Sequence, residues 1–221
     1  MAQSTINTVA IYSPGDMGNA VGKMLRNHGL RVIAALDARS ERTRGLAANA
    51  GIEDVGNDET LVREADIILA ILVPAQATAA ATTIAAAIQK TGSAVLYADC
   101  NAIAPETTNG IEQIITSAGG HFVDASIIGG PPRDFESTRI YASGEQAATL
   151  AKLREYGLNI IDMQSAVGQA SAIKMCYGAL TKGTTALYTE ILTAAAALGV
   201  TEALTAEFTR SQSGPYSAMQ R

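Results

Sequence analysis

The chain has 221 residues, 48% hydrophobic and 17% charged, a composition that describes a globular protein with a sizeable core and excludes a disordered one. A net charge of -5 and a pI near 5.1 argue against non-specific binding to nucleic acid or to an anionic membrane.

Apolar runs at 8–12, 31–36, 66–73, 94–98, 121–124, 139–143 and 159–163 read as strands. Helical patterns lie between several of them. One covers 19–28, with Ala20, Val21, Met24, Leu25 and His28 on a single face and Gly29 placed to end it. Strands alternating with helices imply a Rossmann-type, doubly wound α/β fold, a parallel sheet covered on both faces, over residues 1–165. The character changes after Gly168. From there to Gly199 the chain is rich in Ala, Leu and Thr, with Lys174, Lys182 and Glu190 its only charges. So apolar a helix must be buried against other protein. Residues 166–221 are therefore expected to hold this interdomain helix and the start of a helical second domain, either truncated or completed by a partner subunit as a homodimer.

Cys100 and Cys176 sit in apolar surroundings without metal-ligand spacing, so both read as reduced core residues and no metal site is expected. The first residues lack the basic and apolar regions of a signal peptide, and no stretch reads as a membrane span. A cytoplasmic protein is the expectation.

The segment from Val9 to Gly18 passes from an apolar run into a glycine turn and then an amphipathic stretch. Strand, phosphate loop and helix N-terminus are written this way in a dinucleotide-binding unit. Ser13, Pro14, Gly15, Asp16, Met17 and Gly18 would hold the pyrophosphate, with Ser13 standing where the first glycine is usual. At the end of the second strand, Asp37 suits the ribose hydroxyls of NAD, whereas Arg39 and Ser40, followed by Arg42 and Arg44, suit the 2′-phosphate of NADP. Several arginines against one carboxylate weigh toward NADP, with NAD open. Arg42 and Arg44 also fit a solvated start to the next helix. Leu72, Val73 and Pro74 end the next strand where such sheets place their ligands, and Asn101 ends the one after. Asn101 and Ser126 would converge on one crevice beside Gly129 and Gly130. Asp99 and Asp124 also read as simple strand-end caps, and the Gly-Gly-Pro-Pro segment as a plain turn.

Ser171, Lys174, Gly178, Thr181, Thr185 and Tyr188 recur at helical spacing as one polar or small stripe, with Tyr177 alongside. Burial lowers the pKa of a lysine and suits it to proton transfer near neutral pH. The competing reading is a lysine that extends from the helix edge into water.

Four motifs therefore appear in order: Ser13-Pro-Gly15-Asp-Met-Gly18, Asp99-Cys-Asn101-Ala-Ile-Ala-Pro105, Asp124-Ala-Ser126-Ile-Ile-Gly129-Gly130 and Gly168-Gln-Ala-Ser-Ala-Ile-Lys174. They resemble the β-hydroxyacid dehydrogenase family, which includes 3-hydroxyisobutyrate and 6-phosphogluconate dehydrogenases. The likeness runs over essentially the whole chain and is nearest to a branch with an atypical helical C-terminal domain. It implies an NAD(P)-dependent dehydrogenase of a small β-hydroxy acid or related alcohol. Lys174 would exchange the hydroxyl proton while hydride passes to the nicotinamide. Where the family carries asparagines after the lysine, this chain has Tyr177-Gly178, and Ile128 replaces the substrate-loop serine. Asn101, Ser126, Tyr177 and Thr181 are the candidates to supply the missing donors. Two alternatives stand beside this reading: an imine reductase-like NADPH enzyme, against which the retained Lys174 counts, and a non-catalytic NADP-binding sensor.

Overall fold

The computed structural model describes residues 6–37, 39–212 and 214. It divides into two compact units, Met1–Lys174 and Met175–Arg221.

The first unit carries an eight-stranded sheet. Its strands are β1 (Thr8–Tyr12), β2 (Arg31–Ala34), β3 (Glu53–Asp54), β4 (Ile67–Ala70), β5 (Leu96–Asp99), β6 (His121–Gly129), β7 (Thr138–Ser143) and β8 (Asn159–Asp162), in the spatial order β3-β2-β1-β4-β5-β6-β7-β8. Strand β1 pairs in parallel with β2 on one side and β4 on the other, so the order reverses between β1 and β4. Open sheets of this kind bind ligands at that reversal, outside the carboxyl ends of the strands.

Successive residues of the central strands alternate between two apolar layers. Val9 and Ile11 of β1 enter one core, with Val21 and Leu25 of α1 (Asp16–Asn27), Ala47 of α2 (Glu41–Ala50) and Leu150 of α6 (Ala147–Ala151). Ala10 and Tyr12 enter the other, with Leu61 of α3 (Asp58–Glu64), Ile84 and Ile88 of α4 (Ala77–Thr91) and Ile111 and Ile115 of α5 (Pro105–Ser117). Burial on both faces is why β1 and β4 read as unbroken apolar runs. Helix ends follow local chemistry. The Ser40 hydroxyl caps α2 by accepting from Thr43 N, and the Asn57 side chain caps α3 by accepting from Thr60 N.

Several expectations change. The sheet is mostly rather than wholly parallel: β7 runs antiparallel to β6. Residues 130–137 are too few for a crossover helix, so the chain can only turn back on itself. That pairing also carries β6 on to Gly129, well beyond the apolar run at 121–124. Strand β4 stops at Ala70 rather than reaching Val73, because the Leu72 amide leaves the ladder to donate to Asn101 Oδ1 at 2.8 Å. Strand β3 is two charged residues at the sheet edge and left no apolar trace in the sequence.

Helix α7 (Gln169–Ala197) crosses from the first unit into the second, where α8 (Thr201–Ser211) follows a turn at Gly199. Leu180, Leu187, Ile191 and Leu198 of the second unit are exposed. So is Cys176, which corrects its reading as a core residue: it stands with exposed Tyr177 on a turn of α7 whose apolar side chains are not covered, and of the two cysteines Cys100 alone is buried. Among the described residues no helix is long and apolar enough to cross a membrane.

Candidate active site

The loop after β1 has the shape of a phosphate cradle. Ser13 stands at φ 69, in the left-handed region that a glycine would adopt freely. Its carbonyl accepts the Gly15 amide at 2.8 Å, which closes the turn ahead of α1. A Cβ on Gly15 would meet nothing within 4 Å, so open space adjoins the backbone there. At Gly18 a Cβ would lie 2.9 Å from Ile11 Cγ2 and 3.1 Å from the Ser13 carbonyl oxygen. Gly18 thus lets α1 rest directly on β1. No side chain caps α1, unlike α2 and α3, and its amide-rich, partly positive end faces the loop. Pro14 is buried, Met17 packs on the core, and Asp16 is exposed and takes both carboxylate oxygens to within 3.0 Å of Arg42 Nη2.

Beyond β2 the arginines take separate posts. The Arg39 guanidinium lies 4.9 Å over the Tyr12 ring, at the carboxyl end of β1. Arg44 donates to the Asp37 carbonyl at 2.9 Å and holds the turn from below. Asp37 itself is exposed, and Ser40 is engaged as the α2 cap. Arg42 and Arg44 therefore have structural employment, and Arg39 is the arginine set toward the β1 end.

The loops after β4 and β5 are joined by Asn101. Its side-chain oxygen holds the Leu72 amide, and its own amide nitrogen is buried without a hydrogen-bond partner. The Asp99 carboxylate fixes the Asn101 backbone, accepting its N–H at 2.9 Å. Burial outweighs the opposing bond from the Asn101 backbone and leaves the Asp99 carboxyl raised to about 6. Val73 is 59% exposed, and Pro74 opens a short helical turn beside it.

Strand β6 supplies the other wall. Ser126 is fully buried, and its hydroxyl has no partner. Gly129 stands at φ 122, where a Cβ would strike the Ser137 carbonyl oxygen at 2.6 Å, so only glycine suits the start of this hairpin. Thr138 Oγ1 donates to the Gly130 carbonyl at 2.5 Å and closes it. Ile128 fills the family's serine position as a buried apolar residue.

Lys174 is half-buried on α7, and its Nζ donates to the Ile127 carbonyl at 2.6 Å. The ammonium thus sits on β6 at the residue that follows Ser126. In the second unit Tyr177 is 46% exposed, and Thr181 Oγ1 donates to the Tyr177 carbonyl at 2.8 Å. Asp124 turns out to be a cap, but of another element: it lies within β6 and receives the first amides of α7, at Gly168 and Ser171, each at 3.0 Å. The sequence clue was Gly168 itself, a glycine at a helix start with no side chain of its own to serve as cap.

Residues 8–156 match the family described as the NAD-binding domain of 6-phosphogluconate dehydrogenase. The chain belongs to that family. A conserved protein of unknown function, reported for its structural similarity with 3-hydroxyacid dehydrogenases, is 31% identical with a TM-score of 0.80, over 96% of this chain and 78% of its own. An uncharacterized 28.5 kDa protein of Methanothermus fervidus, from the 7S RNA 5′ region, is 29% identical over 192 residues, 86% of this chain and 71% of its own. Mycobacterium tuberculosis 3-hydroxyisobutyrate dehydrogenase, solved with L-serine, shares the fold with a TM-score of 0.72 at 21% identity, over 94% of this chain and 72% of its own. Imine reductases of Myxococcus stipitatus share it likewise, in NAD+ and NADP+ complexes.

The residues of this NAD(P)-binding, dehydrogenase-like fold suit a dinucleotide. Gly15 leaves room where a pyrophosphate approaches, the uncapped end of α1 favours an anion, and Asn101 aims a buried, unpartnered amide nitrogen from the β5 loop.

Proposed function

We propose that the protein is an NADP-preferring oxidoreductase that moves hydride between nicotinamide and a small β-hydroxy acid or related alcohol, with Lys174 as the acid/base. The observation that carries this is the seat of Lys174: a half-buried ammonium held on the carbonyl of Ile127, one residue along β6 from Ser126, whose buried hydroxyl has no partner. A bound nicotinamide would supply the hydride acceptor. In the oxidising direction a neutral Lys174 takes the substrate hydroxyl proton as the carbonyl forms, and the Ile127 carbonyl steadies the ammonium that results. In reduction the same ammonium returns the proton. Ser126 and the Asn101 amide orient the substrate oxygens, and Gly129 and Gly130 shape the loop around them. Ser13 to Gly18 hold the pyrophosphate, Leu72, Val73 and Pro74 border the crevice, and Arg39 takes the ribose 2′-phosphate, with Asp37 as its rival for NAD.

Replacing Lys174 with Ala or Met should abolish turnover across a panel of small β-hydroxy acids while sparing NADP binding. Equal activity in these variants would sink the mechanism. Turnover of cyclic imines instead of hydroxy acids would favour the imine reductase reading. Ile128 and Tyr177-Gly178, apolar or altered where the family has polar donors, support a cofactor-binding sensor if NADP binds and nothing in either panel turns over. Thermal shifts with NAD and with NADP decide the cofactor, since the tighter ligand stabilises more at equal concentration.

A further inference from the structure

We propose that Asp124 is a positioning residue for Lys174: its buried carboxylate pins the first turn of α7 to β6 and so sets where the ammonium comes to rest. Four donors converge on it. Gly168 N, Ser171 N and Ser143 Oγ each reach Oδ2 at 3.0 Å, and Ser171 Oγ reaches Oδ1 at 2.8 Å. The Ser143 hydroxyl in turn accepts the Ala170 amide at 3.0 Å, and Thr108 Oγ1 lies 2.8 Å from Ser171 Oγ. All of these side chains are buried. The amides that a helix leaves unsatisfied at its start are thus met by β6 and β7 rather than by the helix's own cap.

The link to the lysine is geometric. Ser171 and Lys174 are three residues apart, hence on one face of the helix. Asp124 and Ile127 are three residues apart on the strand. The helix start is therefore fixed to β6 at two levels, by the Asp124 carboxylate at one and by the Lys174 bond to the Ile127 carbonyl at the other. If the first level slackens, the second cannot keep its 2.6 Å contact. Gly168 serves the same end: at φ 93 it adopts a backbone conformation that strains any other residue, and so lets its amide turn onto Asp124.

The functional meaning of this inference rests on the acid/base role of Lys174, but its readout does not. Competitive labelling with acetic anhydride, followed by peptide mass spectrometry, reports the reactivity of each lysine in the folded protein. Asp124→Ala should raise Lys174 labelling several-fold against Lys23 and Lys152, whose rates stay level. Asp124→Asn keeps an acceptor for the helix amides and should restore the wild-type ratio. A loss of stability alone would leave the ratio unmoved. If Asp124→Ala does not fold, the Ser143→Ala/Ser171→Ala pair removes two of the four donors and should give an intermediate rise. An unchanged Lys174 ratio in whichever of these proteins folds overturns the proposal. If labelling shifts as expected but Lys174→Met retains full turnover, the positioning stands and the acid/base reading fails.

Discussion

The side-chain oxygen of Asn101 accepts the Leu72 amide at 2.8 Å, while the other end of the same side chain, its amide nitrogen, is buried and unpartnered. One residue thus ties two strand-end loops and presents a donor. Asn101→Ala should cost about 1–3 kcal/mol in urea denaturation, because the Leu72 N–H is left unsatisfied, and should weaken NADP about tenfold by direct titration. A loss of stability with unchanged NADP affinity would show that the amide nitrogen does not face the cofactor.

The two glycines of the cradle should separate stability from binding. Gly18→Ala drives a methyl group to 2.9 Å from Ile11 and should destabilise by about 1–2 kcal/mol, even after the gain in helix propensity. Gly15→Ala meets no atom, so the denaturation midpoint should stay within about 0.5 kcal/mol of wild type while NADP affinity falls. Undiminished NADP binding in Gly15→Ala would move the pyrophosphate elsewhere.

Asp99 should make stability depend on pH in an unusual direction. Burial raises its folded value from 3.8 to about 6, so the folded protein holds this proton more tightly than the unfolded chain. The stabilising contribution is complete below about pH 4 and is lost as pH rises through about 6, an effect on the order of 3 kcal/mol. Asp99→Asn keeps the acceptor for the Asn101 amide and removes the titration. Urea midpoints from pH 4 to 7 should fall more steeply for wild type than for this variant. Parallel curves would exclude Asp99 as the source.

Exposed Leu180, Leu187, Ile191 and Leu198 on the second unit support the proposed homodimer through this helical region. Light scattering should give a dimer at micromolar concentration, and Leu187→Glu should reduce its mass to that of one chain. A well-behaved wild-type monomer would defeat the proposal.

Much of this molecule was legible from residue patterns, and the failures have physical causes. The limits of β1 were readable because both faces of that strand are buried, which leaves an unbroken apolar run. Ser13 stands where the first glycine of the fingerprint is usual, and its φ of 69 shows the turn retained with a serine in it. The charged strand β3 was hidden because backbone pairing alone made it, whereas β6 continues past Asp124 and Ser126, polar residues that interrupt its apolar run although both are buried. Among the arginines after β2, Arg42 and Arg44 already allowed a solvated reading beside the phosphate one, and geometry places Arg39 over Tyr12 while those two serve Asp16 and the loop backbone. Asp124 was recognisable as a cap, whereas its client, the start of α7, lies 44 residues away along the chain to Gly168.

Strand β6 pairs with β5 only from His121 to Asp124; from there to Gly129 its one sheet neighbour is β7. The stretch that carries Ser126 and the Ile127 carbonyl is therefore paired on one side only, to β7 and through it to β8, beyond the ladder that joins β6 to β5. Its outer turn, residues 130–137, can lengthen or change sequence without shifting the register of any strand that builds the nucleotide cradle. On the proposed function, that segment can be remodelled toward a different substrate while the loop after β1 keeps its shape.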